Sequence, residues 1–105
     1  MDELNIRQQC KFVMENASDA YIATISEDGF PRISCVFNLR NKTRFPNVQQ
    51  VFKNHEDDFM LYIGTDDPSQ KVREIRKNPK IAVYLCIPEK FLGFCAVGEA
   101  EFIKD

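Results

Sequence analysis

Apolar residues in the first segment recur at helical spacing. Ile6, Cys10, Val13 and Ala17 are separated by 4, 3 and 4 positions, which predicts a helix over 3–17 with one buried face. Asp2 is its expected cap, and Asn16 and Ser18 mark its exit. The period then shortens. Tyr21, Ile22, Thr24 and Ile25 within 20–26 favour a pleated strand. Glu27-Asp28-Gly29 is a reversal signal, because glycine readily supplies the positive φ of a hairpin turn. Over 32–39 the residues alternate. Ile33, Cys35, Phe37 and Leu39 share one side of the strand, and Arg32, Ser34, Val36, Asn38 and Arg40 share the other.

The second half is punctuated by proline and asparagine. Residues 41–47 form a basic, proline-containing loop, followed by a short helix over 48–54 and a strand over 58–65. Asp66-Asp67-Pro68 breaks that strand. Ser69 then caps a one-sided helix to Lys77, carried by Val72, Ile75 and the aliphatic stem of Arg76. Asn78-Pro79 ends it, since a residue before proline is driven out of the helical region. The nearly all-apolar run 81–87 predicts a central strand. Pro88-Glu89-Lys90 turns the chain into a long last strand over 91–103, with Gly93 and Gly98 as expected bulge or bend sites.

Five strands with two or three helices, not in regular alternation, point away from a doubly wound parallel sheet. No G-x-G-x-x-G and no Walker motif is present, so neither dinucleotide nor P-loop chemistry is supported. The expected class is mainly β (α+β): a small, mostly antiparallel barrel with helices over its openings.

Composition narrows the function. The chain has 105 residues, the size of one domain, and no repeat or linker divides it. The acidic N-terminus lacks a basic region followed by an apolar stretch, and no apolar run approaches a membrane span, so a cytoplasmic chain is expected. A net charge of −2 argues against general nucleic-acid binding. Its distribution is uneven: residues 32–80 hold 10 basic and 6 acidic groups, between two acidic ends. A basic middle suits either a local anion site or a solvated helix face.

Cys10, Cys35, Cys86 and Cys95 follow no metal-ligand spacing, each has apolar neighbours, and His55 is the only histidine. Buried, reduced thiols are expected. His55 lies in a polar stretch that reads as a solvated loop, and Asp57-Asp58 and Asp66-Asp67 read as turn chemistry rather than an acid–base pair. Serines 18, 26, 34 and 69 lie in no nucleophile-elbow context. The most informative segment is 62–71: a strand ends, the chain turns, and a helix begins with Ser69 and Lys71, where backbone N–H groups and the helix dipole favour an anion.

The order and spacing of several short elements carry a resemblance. Ile22-Ala23-Thr24-Ile25 with Asp28-Gly29-x-Pro31 comes first, followed by Asn38-Leu39-Arg40 and Tyr62-x-x-Thr65. Ser69-x-Lys71-Val72-x-x-Ile75-Arg76-x-Asn78-Pro79 and Val97-Gly98-x-Ala100-Glu101 complete the series. Over nearly all of 5–105 the chain resembles the pyridoxamine 5′-phosphate oxidase-like FMN-binding split barrels, in their general stress protein 26-like branch. The resemblance implies a Greek-key split β-barrel and a homodimer with FMN in clefts between subunits. It also implies a flavin-dependent oxidoreductase acting on a small molecule. The family's FMN-lining strand falls on Ser34, Cys35, Val36, Phe37, Asn38 and Leu39. Its second FMN segment falls on Ile63, Gly64 and Thr65, and its phosphate-binding turn on Ser69, Gln70 and Lys71. The polar edge of the 32–40 strand would then face the ligand.

The chain departs from the family in having Ser34 and Gln70 where arginines are usual. Arg32, on the same strand face as Ser34, would supply one of the two missing cations. Relatives also usually continue past the position of Asp105 with a helix and a closing strand, so the C-terminal part of the family fold is expected to be missing from 1–105. Members that oxidise pyridoxamine phosphate hold it with such later residues, which sets that substrate aside. The alternative is a non-catalytic split-barrel stress protein whose site is vestigial or takes another ligand.

Overall fold

The computed structural model describes residues 3–55, 59–65 and 70–103. Helix α1 runs Glu3–Asn16, strand β1 Asp19–Ile25 and strand β2 Pro31–Asn38. A stretch of 3₁₀ turns, Pro46–His55, precedes the two-residue strand β3, Ile63–Gly64. Helix α2 runs Gln70–Lys77, strand β4 Lys80–Ile87 and strand β5 Leu92–Glu99, with one 3₁₀ turn at Pro88–Lys90. No helix among the described residues is long and apolar enough to cross a membrane.

All five strands form one antiparallel sheet in the order β3-β2-β1-β4-β5. Three consecutive strands lie side by side and the fourth returns beside the first, which is the Greek-key order. The β1–β2 turn closes on Gly29 at φ 86, with Ser26 N–H donating to the Phe30 carbonyl at 3.0 Å.

Both helices cover the same side of the sheet. Val13, Met14 and Ala17 of α1 and Ile75 of α2 join one buried cluster with Ala20, Ile22, Val36, Val83, Leu85 and Ile87. Alternation sends the other residues of each strand outward. There the register aligns Cys35, Tyr21, Tyr84 and Cys95 in one row and Ile33, Ala23, Ala82 and Val97 in the next. Ile33 is 77% exposed and Val97 82%. The sheet is thus a curled half-barrel with one covered face and one bare apolar face.

Several elements differ from the sequence expectation. The 58–65 strand shrinks to Ile63–Gly64. Phe59 and Leu61 turn inward to pack on the core, and the Arg40 guanidinium takes the Met60 carbonyl, so that backbone does not run as a ladder. The last strand ends at Glu99 and passes through Gly93 and Gly98 in unbroken register, without a bulge. Arg76 is exposed, its guanidinium 4.5 Å from the Phe102 ring centre, while Glu74 takes the buried place beside Val72 and Ile75. Ile6 is exposed, and Met14 completes the α1 face instead. None of the four thiols is buried: Cys35 and Cys95 lie on the bare face, and Cys10 and Cys86 are half-buried. For the three strand cysteines, the apolar neighbours in sequence alternate to the other face of the sheet.

Candidate functional site

The polar residues of β2 separate into two groups. Val36, Asn38 and Arg40 are buried, so the expected polar edge does not line an open surface along its length. Asn38 Nδ2 donates to the carbonyls of Met14 and Ala17, each at 2.9 Å. Asn41 Nδ2 adds bonds to Asn16 at 3.2 Å and Ala17 at 2.8 Å. These amides tie down the carbonyls that the end of α1 leaves without helical partners. Arg40 lies 5.3 Å over the Phe52 ring centre. The remaining two residues of the face, Arg32 and the half-buried Ser34, lie toward the β1–β2 hairpin.

Arg32 meets α2 there. Glu74, only 5% exposed, receives the Thr24 hydroxyl at 2.7 Å, Arg32 Nε at 2.9 Å and Gln70 Nε2 at 3.4 Å. Thr24 and Arg32 are cross-strand partners, so one helix carboxylate clasps a strand pair. A buried carboxylate is tolerated only when its lone pairs are satisfied in this way. Around this clasp lies a cleft of about 420 Å³, lined by Arg32, Gln70, Arg73, Glu74 and Lys77 with Ser26–Asp28 at its rim. At the rim Ser26 Oγ donates to Asp28, and Phe30 N–H donates to the same oxygen at 3.3 Å. The Ser26 hydroxyl and then the Phe30 N–H hold the Asp28 carboxyl below its ordinary value; desolvation opposes them, and the nearby Arg32 charge adds a smaller pull in the same downward direction. Lys77 pairs with Glu27 across the opening.

The structure brings together part of the expected site. Arg32 and Gln70 share the cleft through Glu74. Phe37 and Asn38 pair with Gly64 and Ile63, so the first and second segments are adjacent. Cys35 and Phe37 point to the bare face, while Thr65 is exposed. Lys71 is half-buried but does not line the cleft. Ser69 lies outside the described residues, as do Asp57-Asp58, Asp66-Asp67 and the side chain of His55. Glu74, Thr24 and Arg73 were not legible as site residues. Glu74 stands among Arg73, Arg76 and Lys77, where a carboxylate reads as part of a solvated helix face, and its partner Thr24 is 50 positions away.

A one-sided Greek-key half-barrel, with a cleft of three cations and three carboxylates at one end of β2, is the architecture of half a split barrel. The family model for pyridoxamine 5′-phosphate oxidase matches residues 6–105, and the chain belongs to that family. A Clostridium acetobutylicum protein related to general stress protein 26 of B. subtilis, of the pyridoxinephosphate oxidase family, has a similar structure. Its TM-score is 0.70 at 21% identity, over 100% of this chain and 63% of that one. An F420 reductase is similar with a TM-score of 0.63 at 18% identity, over 89% of this chain and 62% of that one. A conserved hypothetical protein of Mycobacterium tuberculosis has a TM-score of 0.63 at 19% identity, over 100% of this chain and 55% of that one. The chain therefore spans less than two thirds of each of these proteins. No curated protein matches the sequence.

Proposed function

We propose that the chain is the FMN-binding part of a flavin-dependent oxidoreductase, acting as a homodimer on a small molecule. The observation that carries this reading is Arg32. Its Nε is committed to Glu74, and its two terminal amines have no partner among the described residues. Paired N–H donors on a planar guanidinium match a phosphate's oxygens. Gln70, at the start of α2, lines the same cleft, and Arg73 follows it within one helical turn. The donor set thus fits the phosphate end of FMN. From Arg32 to Phe37 the strand advances about 16 Å, so the two groups of candidate residues are spread along β2 as an elongated ligand requires.

The Arg32 cleft does not extend to Phe37 and Gly64. The bare sheet face supplies the rest of the argument. Exposed Ile33, Phe37 and Val97 on one side of the sheet are the mark of an interaction surface. A second copy packed there would enclose the ring between subunits. When bound, FMN supplies the hydride and electron transfer; the chain's part is to hold the phosphate, orient the ring and exclude water. Membership of a family named for an oxidase, and likeness to an F420 reductase, support redox use of the site.

The purified protein is expected to show the visible flavin absorbance, or to quench added FMN fluorescence saturably with one FMN per chain. NADH or NADPH should then bleach the bound flavin. A colourless protein that leaves FMN fluorescence unchanged sinks the proposal. Stoichiometric FMN without any reduction favours the non-catalytic alternative, which has one observation behind it: Glu74 already neutralises the arginine that the phosphate would use.

A further inference from the structure

We propose that Glu74 is a positioning residue, which aims the terminal amines of Arg32 at an anionic ligand tail in the cleft. The inference rests on the phosphate reading of that cleft. An arginine near the open end of a strand samples many rotamers, and ordering such a side chain has an entropic cost. Arg32 is 49% exposed on its side chain, and the described partner that fixes it is the carboxylate of Glu74.

Glu74 is well placed to act as an anchor. It sits on the buried face of α2, and Thr24, itself 1% exposed, clamps its other oxygen from the core. Arg32 approaches through Nε rather than through its two terminal amines. That choice of edge turns the remaining fork away from the carboxylate. The same cleft carries Arg73 and Lys77, the latter paired with Glu27, and Asp28 at its rim, so the Arg32 fork is held among charges of both signs. Glu74 also balances the charge of Arg32, so recognition would depend on directed hydrogen bonds more than on net positive potential.

Charge and geometry predict opposite effects of removing Glu74, which makes the test decisive. The affinities of folded wild type, Glu74→Ala and Glu74→Gln for FMN and for riboflavin, which lacks the phosphate, are compared by fluorescence titration. Positioning predicts that Glu74→Ala weakens FMN about tenfold and leaves riboflavin unchanged. It also predicts that Glu74→Gln, whose amide oxygen still accepts from Nε, recovers most of the loss. Equal or tighter FMN binding by both variants overturns the proposal, because Glu74 would then act only as a competing charge. If Glu74→Ala fails to fold, Thr24→Val carries the test: it keeps the carboxylate but removes its clamp, and unchanged FMN affinity overturns the proposal. A wild type that binds no FMN ends the FMN reading separately. The Arg32 Nε–H resonance then decides the positioning role during titration with inorganic phosphate. A shift in wild type that is lost in Glu74→Ala supports it, and no shift in wild type overturns it.

Discussion

Asn38 shows how a single residue can hold two elements together. It sits at the end of β2, fully enclosed, and its amide joins the last carbonyls of α1 to the sheet. Its own carbonyl oxygen accepts Arg40 N–H at 3.2 Å, so every polar atom is used. Asn38→Ala is expected to destabilise the fold by about 1–3 kcal/mol, since the buried Met14 carbonyl loses its side-chain partner and the Ala17 carbonyl keeps only Asn41. Urea unfolding followed by circular dichroism checks this, and a change within the range of ordinary surface substitutions would show that Asn41 alone suffices. Asp28 gives a second prediction, of pH dependence. Its carboxyl is held below the ordinary value in the folded state, chiefly by the Ser26 hydroxyl. A lowered folded-state pKa adds stability above the unfolded pKa, and that stability is lost as pH falls through the folded one. Asp28→Asn should therefore be less stable than wild type at neutral pH, and the two melting curves should converge in acid. A gap that stays constant from neutral to strongly acidic pH would remove the carboxylate as its source. At this scale the sequence spoke unevenly. Alternation places Arg32 and Asn38 on one strand face, but it does not reveal that Arg32 meets Glu74 or that the Asn38 amide holds the end of α1, because both partners lie far away in sequence.

Among the elements, the β4–β5 pair is the one whose glycine is explained by its neighbour. A Cβ on Gly93 would lie 2.6 Å from the Tyr84 hydroxyl and 3.1 Å from Cys86 Cβ. The tyrosine ring covers the glycine from the adjacent strand, an arrangement that protects a bare stretch of backbone. The nearest atom is the free end of a half-exposed ring that can swing aside, so Gly93→Ala is expected to cost no more than about 1 kcal/mol. Tyr84→Ala should relieve most of that cost, so the double variant should be less destabilised than the sum. Additive losses in a double-mutant cycle would mean that backbone entropy, not the ring, sets the penalty. The same pair shows why element reading from sequence succeeds and fails. A glycine in a strand signals that something approaches closely, but not whether it is a bulge or a side chain from another strand. Helix α1 and the β1–β2 hairpin were legible because their signals are local: an apolar period of 3.6 and a glycine at positive φ. The shortened β3 was not, because Phe59, Leu61 and the Arg40–Met60 bond redirect that backbone through distant partners. Glu74 belongs with β3 in this respect, since its burial depends on a threonine in a strand formed far earlier in the chain.

For the whole molecule the open question is which faces of the sheet are covered. Alternation along β2 reveals an apolar and a polar set, yet it does not say which one the helices will take. Here the helices take the set containing Val36 and Asn38, leaving Ile33, Cys35 and Phe37 outside. Exposed apolar side chains aligned across four strands are unfavourable in water and invite a partner. An isologous packing of two such faces would cover both at once and need no other molecule. The proposed homodimer therefore makes a sharp prediction at Ile33, which is 77% exposed and contributes little to its own protomer's core. Ile33→Asp places a charge at the centre of the proposed contact, where desolvation without a partner is costly. Wild type should have a native mass of twice 12.2 kDa. The variant should run as a monomer, with its far-ultraviolet dichroism retained and its melting temperature no longer dependent on concentration. Its FMN affinity should fall as well, because the ring's enclosure depends on the second copy while the Arg32 cleft does not. A monomeric variant that holds FMN as tightly as wild type would confine the cofactor to one chain. A variant that stays dimeric would move the interface off this face of the sheet altogether.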